Sequence, residues 1–270
     1  MKRVLEDMFI GPFASPSFTS GLRFRWEDSR RRVRVIFNDV TLADSKRVML
    51  LHEAGHLPVF YFPVEDVRMD VMEATEHTTH SPLKGDASYW TIRVGDRVAE
   101  NVAWSYLHPL PEGPEIKGYM AFYWEQMDAW YEEDEQVFAH ARDPYKRVDV
   151  LPSARHVRVV LGGVTIADTH RPRILIETGL PTRYYIPEQD VRMEPLEPTE
   201  TTTHCPYKGQ ASYWSARIDD TVYKDIVWSY REPLPACLMV EKLLCFFNER
   251  VDAIYVDGDL VSKPKTIWSE

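Results

Sequence analysis

The sequence predicts a mainly β protein made of two tandem small β domains with few short helices. Three observations predict it. The chain repeats itself at a constant offset of 124: His80-Ser81-Pro82-Leu83-Lys84-Gly85-Asp86-Ala87-Ser88-Tyr89-Trp90 returns as His204-Cys205-Pro206-Tyr207-Lys208-Gly209-Gln210-Ala211-Ser212-Tyr213-Trp214. The register runs without a gap from 33–131 onto 157–255, and about 44 of 99 aligned positions are identical. Within each copy, short alternating runs end at prolines, which leaves little room for long helices. At 270 residues the length also accommodates two domains, each large enough to bury a core of its own.

In chain order, residues 1–32 read as an N-terminal arm outside the repeat, with Gly11-Pro12, Ser15-Pro16 and Ser20-Gly21 as turn signals. Arg23 and Arg31 align with Arg147 and Arg155, so part of the arm is open to assignment to the domain. The first repeat, 33–131, starts with the alternating strand Val33-Arg34-Val35-Ile36-Phe37, matched by Val157-Arg158-Val159-Val160-Leu161. Asn38-Asp39 and Gly162-Gly163 follow; both pairs tolerate positive φ, as a two-residue hairpin requires. Val40 to Asp44 is the returning strand, and further runs end at Pro63, Pro82, Pro109 and Pro111. Asp128 to Tyr131 is a strand, with a short helix around 124–128 as an option. Residues 132–156 form a linker that begins Glu132-Glu133-Asp134-Glu135 and carries Asp143-Pro144 and Leu151-Pro152. The second repeat spans 157–255 and ends in a strand entering the turn at Asp257-Gly258; residues 256–270 are a C-terminal tail.

Composition narrows the function classes. The formal net charge is −10, against the concentrated basic surface that nucleic-acid binding needs, so no nucleic-acid partner is expected. The basic run Arg30-Arg31-Arg32 opens a strand and reads as a solvated edge. No apolar stretch approaches the ~18 residues of a membrane span, and no apolar leader segment is visible at the N-terminus. Three cysteines, Cys205, Cys237 and Cys245, all fall in the second copy; an odd number confined to one copy is not a disulfide framework, so free thiols and a cytoplasmic location are expected.

Several motifs bear on chemistry. His52-Glu53-Ala54-Gly55-His56 matches H-E-x-x-H, but that zinc pattern works only on a helix. The aligned segment, Ile176-Glu177-Thr178-Gly179-Leu180, has lost both histidines, and Gly55 and Pro58 oppose a helix. The copies share Glu-x-Gly, a strand end with one carboxylate, Glu53 or Glu177. The motif T-T-H-[SC]-P-x-K-G-x-A-S-Y-W presents Lys84 and Lys208 from a turn shaped by Pro and Gly. His80 and His204 are donors or bases, or structural histidines. Tyr89-Trp90 and Tyr213-Trp214 begin a strand that sends Tyr and Trp to opposite faces. Trp104, Tyr106, Trp228 and Tyr230 form a second aromatic set, either core or pocket wall. Arg68 and Arg192, each two residues after an Asp, either make ordinary ion pairs or join Glu53 and Lys84 in a charged pocket floor. Cys205 replaces Ser81 and is a candidate nucleophile beside His204. Neither Cys-x-x-Cys, G-x-G-x-x-G nor a Walker pattern occurs, so no metal and no cofactor is expected.

The string of motifs, from [DE]-V-R-M through T-T-H-[SC]-P-x-K-G-x-A-S-Y-W to W-S-Y-x-x-P-L-P, resembles the domain of unknown function 427 family, also labelled nucleotidyltransferase-like, over both copies. The resemblance implies a small domain akin to the β-tent architecture of methionine sulfoxide reductase B and the thalidomide-binding domain of cereblon. By analogy with the aromatic cage of the latter, Trp90, Trp104 and Tyr106 are expected to surround a ligand. The structural zinc of those relatives has no ligands here, and the paired-Asp metal site of nucleotidyltransferases has no visible counterpart.

The expected function is therefore binding of, or modest chemistry on, a small polar or aromatic metabolite, possibly phosphorylated. Its alternatives are a nucleotidyltransferase-like enzyme and a non-catalytic interaction module. Lys84 and Lys208 are expected to point into cavities walled by Trp90 or Trp214 and by Trp104 or Trp228, contributing charge and little stability.

Overall fold

A computed structural model describes residues 23–269. The turn signals read between Gly11 and Gly21 lie outside the described residues. The chain divides into two units, with the boundary between Asp143 and Pro144.

The first unit carries strands β1 (Phe24–Asp28), β2 (Val33–Phe37), β3 (Val40–Ser45), β4 (Met49–Glu53), β5 (Val59–Pro63), β6 (Met72–Ser81), β7 (Gly85–Val94), β8 (Arg97–Ser105), β9 (Tyr119–Phe122), β10 (Ala129–Glu132) and β11 (Glu135–Val137). They form a seven-stranded antiparallel sheet, β1-β4-β5-β9-β8-β7-β6, and a four-stranded one, β11-β10-β2-β3. In the second unit β12 (Val148–Pro152), β13 (Val157–Leu161), β14 (Val164–Thr169), β15 (Arg173–Glu177), β16 (Arg183–Ile186), β17 (Leu196–Cys205), β18 (Gly209–Ile218), β19 (Thr221–Tyr230), β20 (Leu244–Phe246), β21 (Ala253–Val256) and β22 (Asp259–Leu260) repeat the plan. Their sheets run β12-β15-β16-β20-β19-β18-β17 and β14-β13-β21-β22. The described helical residues form only short 3-10 turns, one of them at Trp124–Gln126, and none is long and apolar enough to cross a membrane.

The alternation read at 33–37 is present: Val33, Val35 and Phe37 are buried, and the residues between them are not. Asn38 and Asp39 both take positive φ, 47° and 60°, and Gly162 and Gly163 take 58° and 74°. Both hairpins also carry a one-residue bulge, between Val35 and Ile36 and between Val159 and Val160.

The domain edges differ from the sequence reading. β1 pairs along its length with β4, so the end of the arm belongs to the first unit. The acidic linker holds β11, which pairs with β10, and β12, which pairs with β15. Neither β1 nor β12 shows a buried alternation, because both are edge strands with no fully buried residue. The C-terminal tail is also built in: β22 pairs with β21, and Trp268 packs on the second core.

Within the first unit, Val33, Val35, Phe37, Phe60, Phe62, Phe122 and Trp130 belong to one buried cluster. Leu51, Tyr61, Ala87, Tyr89, Tyr106, Ile116 and Ala121 form another. Phe60 and Phe62 join the first and Tyr61 the second, so the two clusters lie on opposite faces of the seven-stranded sheet. The site described next lies on the Tyr61 face.

Candidate functional site

The Pro-x-Lys-Gly motif caps the hairpin between β6 and β7. Ser81 pairs with Gly85 across a three-residue loop, and the Lys84 amide donates to the Ser81 carbonyl at 3.3 Å. The Ser81 hydroxyl accepts the amides of Leu83 and Lys84, each at 3.3 Å. Gly85 takes φ +92°, where a side chain would be strained, and a Cβ there would lie in ordinary contact with the passing chain at His108 and Leu110. That chain is tied back by the Leu110 amide, which donates to the Lys84 carbonyl at 3.1 Å; Leu234 and Lys208 make the same bond at 3.1 Å.

This turn aims Lys84 inward. Its ammonium donates to Glu53 at the end of β4, and Lys208 donates to Glu177 at the end of β15. The pairs are largely buried: side-chain exposure is 11% and 16% for Lys84 and Glu53, and 10% and 4% for Lys208 and Glu177. Lys84 Nζ lies 5.6 Å from the centre of the Tyr106 ring, within cation–π range. In the second unit a further ammonium, Lys146, stands 3.6 Å from Glu177. Burial alone lowers the Lys208 pKa; the nearby Cys205 sulfur and Glu177 carboxylate outweigh it and hold the ammonium protonated above the ordinary lysine value.

In the first unit the pair floors a cavity of about 560 Å³, lined by Arg23, His56, His80, Ser81, Leu83 and Tyr106 among others. That volume is in the range of small-molecule sites. Glu53 is the one carboxylate among its described lining residues. His80 is exposed, and its Nδ1 lies 2.6 Å from Asp86, its partner across the hairpin.

Other predicted residues go elsewhere. Arg68 is exposed and grips Asp70 with two bonds of 2.7 Å; Arg192 is also exposed. Asp66 and Asp190 pair instead with Arg47 and Arg171. The arginine alternative for the pocket floor is therefore replaced by a local ion pair. Tyr89 is core, its hydroxyl 2.9 Å from Thr79 and 3.4 Å from Tyr123. Tyr213 is 2.8 Å from Thr203, and burial raises its pKa.

The aromatic cage does not assemble in the first unit. Trp90 packs on the Val33 cluster and Trp104 on the Tyr61 cluster, at opposite faces of one sheet. The register pairs Trp104 with Tyr89 and Trp90 with Ala103, so the two indoles cannot meet. Trp104 donates to the Tyr61 hydroxyl at 3.3 Å, and Trp228 to the Tyr185 hydroxyl at 3.1 Å. Trp214 lies under Arg231 at 5.8 Å. Tyr230 is buried, which pushes its pKa up. The expected tryptophan-walled cavity around Lys84 is thus a cavity with one aromatic wall, Tyr106.

The H-E-x-x-H segment is strand followed by turn, with Gly55 at φ +83°. His52 is buried and meets Glu27 at 3.1 Å and Asp143 at 3.9 Å, whereas His56 lines the cavity. Burial lowers the His52 pKa, against the pull of Asp143 and Glu27. All three cysteines are free; Cys205 is half-buried, Cys237 and Cys245 are buried. Burial pushes the Cys237 thiol up to about 11 and the Cys245 thiol up to about 12.

Sequence reasoning passed over Arg23, His56, Leu83 and Lys146 as site residues. Recurrence as Arg147 was a usable signal for Arg23. His56 and Lys146 align with Leu180 and Leu22, so recurrence could not find them. The model of a family described as a domain of unknown function (DUF427), with a nucleotidyltransferase-like label, matches residues 25–133 and again 149–257. No curated protein matches the chain.

Proposed function

We propose a function from one premise: the chain belongs to the DUF427 family in both halves. The first half binds a small anionic metabolite, carboxylated or phosphorylated, in the cavity over Lys84 and Glu53. One observation carries this reading. A lysine is taken out of water by a rigid turn and set on a carboxylate at matching positions in both halves, and in the first half that pair floors a cavity. Arg23, His56 and His80 surround that floor, and Glu53 already has its partner. The rim therefore favours negative charge, which a chain of net charge −10 otherwise repels. With Tyr106 as its only described aromatic lining residue, the cavity fits a compact polar ligand better than a flat aromatic one. A nucleotidyl-transfer reading needs several carboxylates around divalent ions, and this lining offers one, engaged by Lys84.

The test uses two variants that spare the ion pair, Arg23→Gln and His56→Leu; leucine is the residue at the aligned position 180. Calorimetric titration with inorganic phosphate, pyrophosphate and a panel of small carboxylates should find at least one anion bound by the intact chain. Each variant should weaken it by about tenfold, the loss of one charge-assisted hydrogen bond of ~1.4 kcal/mol or more. No anion bound at millimolar concentration, or binding indifferent to both variants, overturns the proposal.

A further inference from the structure

Away from that cavity, the second half brings two imidazoles and a carboxylate to one face of its outer hairpin. His156 precedes β13, Asp168 lies on β14 and His170 follows it. Val157 pairs with Thr169 and Arg158 with Asp168, so the same register places His156 opposite His170. The bulge between Val159 and Val160 is what allows this. Without that extra residue His156 would face Thr169, and both Asp168 and His170 would turn to the other side of the ribbon. As built, His156 Nε2 lies 2.7 Å from Asp168 Oδ1, and the two imidazole rings stack at 4.2 Å. One ligand atom from each of the three residues lies within 4.8 Å of the others.

The backbone under these groups is held. The His156 amide donates to Asp257 at 2.9 Å, and Arg155 grips the same carboxylate at 2.6 Å. Thr169 and Arg171, which alternate with the candidate ligands, are both tied to Asp190. Asp168 and His170 therefore project from a fixed strand end to the opposite face.

The first half shows what this place is without imidazole. Its aligned residues are Arg32, Asp44 and Lys46. The Arg32 guanidinium clasps Asp44 with bonds of 2.7 and 2.5 Å, so a permanent cation answers the carboxylate. In the second half the carboxylate remains and both cations are replaced by imidazoles. We propose that a divalent first-row transition-metal ion, with Zn²⁺ as the reference case, takes the place of that cation, bound by His156, Asp168 and His170. Two nitrogens and one carboxylate oxygen suit such ions, whereas Mg²⁺ and Ca²⁺ favour all-oxygen sites. Bond lengths of ~2.0–2.2 Å place tetrahedral donors ~3.3–3.5 Å apart, so His156 and Asp168 open slightly and the His170 ring turns out of its stack. His170 and Asp168 are exposed and free to make that adjustment. The remaining coordination positions go to water, with one ion per chain.

The test uses the full chain without a histidine tag, stripped with chelator and titrated with Zn²⁺ by calorimetry, and with Co²⁺ for its visible absorption. The variant His156→Arg/His170→Lys installs the first half's own residues, so the hairpin should keep its fold, as far-ultraviolet circular dichroism would check. The intact chain should bind one ion. The double variant should weaken binding more than the ~10–100-fold that changes outside the ligand shell typically cost. His56→Leu, in the other half, should leave the stoichiometry at one. Absence of binding at 100 μM-order Zn²⁺, or undiminished binding in the double variant, overturns the proposal. Because His156 and His170 are not in the anion cavity, this result stands or falls independently of the anion titration.

Discussion

Replacing Lys208 by methionine perturbs the most enclosed charge pair of the second half. Glu177 would be left 4% exposed, and Lys208 itself is 10% exposed. Breaking a buried pair from one side costs about 3–5 kcal/mol, because the orphaned charge stays desolvated. Here Lys146 remains 3.6 Å from Glu177, a charge contact longer than a good hydrogen bond, which places the expected loss at ~3 kcal/mol. Lys84→Met leaves Glu53 at 16% exposure, where water reaches it, and should cost less, ~1–2 kcal/mol. This reverses the sequence-based expectation that these lysines add little stability. Urea unfolding followed by hydrogen-exchange mass spectrometry assigns each loss to peptides on either side of residue 144. Lys208→Met/Glu177→Gln should cost less than the sum of its parts, with a coupling of ~1–3 kcal/mol. A loss below ~1 kcal/mol for Lys208→Met, or a coupling indistinguishable from zero, would refute the reasoning.

Two further outcomes are expected. Iodoacetamide should alkylate Cys205 first, while Cys237 and Cys245, buried and with thiols raised to about 11 and 12, react only on unfolding; three thiols reacting together in native protein would contradict the burial. The first half should lose stability as pH falls below 6.5, because burial lowers the His52 pKa: its stabilising neutral form is fully present above the unfolded value and is lost as pH drops through the folded one. His52→Gln should flatten that acid limb in the residues before 144, and an unchanged slope would assign it to other groups.

Much of the fold was legible because its signals are local. The alternation at Val33–Phe37 and the positive-φ pair at Asn38-Asp39 each report on neighbouring residues. The offset of 124 then doubled every such reading. What stayed hidden depends on register. Whether Trp90 and Trp104 share a face is decided by how β7 pairs with β8, and a shift of one residue reverses the answer. The contact from Lys84 to Glu53 joins residues 31 apart in sequence, and nothing local announces it. The three groups around Asp168 meet through a bulge that no residue type marks, and they carry neither a cysteine pair nor H-E-x-x-H.

Among the described residues each of the four sheets draws its strands from one half, so the peptide bond between Asp143 and Pro144 interrupts none of their ladders. In evolutionary terms the chain carries its own duplicate. A substitution in one half leaves every strand pairing of the other intact, and selection can retain an ancestral residue in one copy while the second drifts. His56 against Leu180, Ser81 against Cys205 and Arg32 against His156 are three positions at which the copies differ on a shared frame. Exchanging these residues between copies, one position at a time, separates inherited architecture from acquired chemistry within one polypeptide.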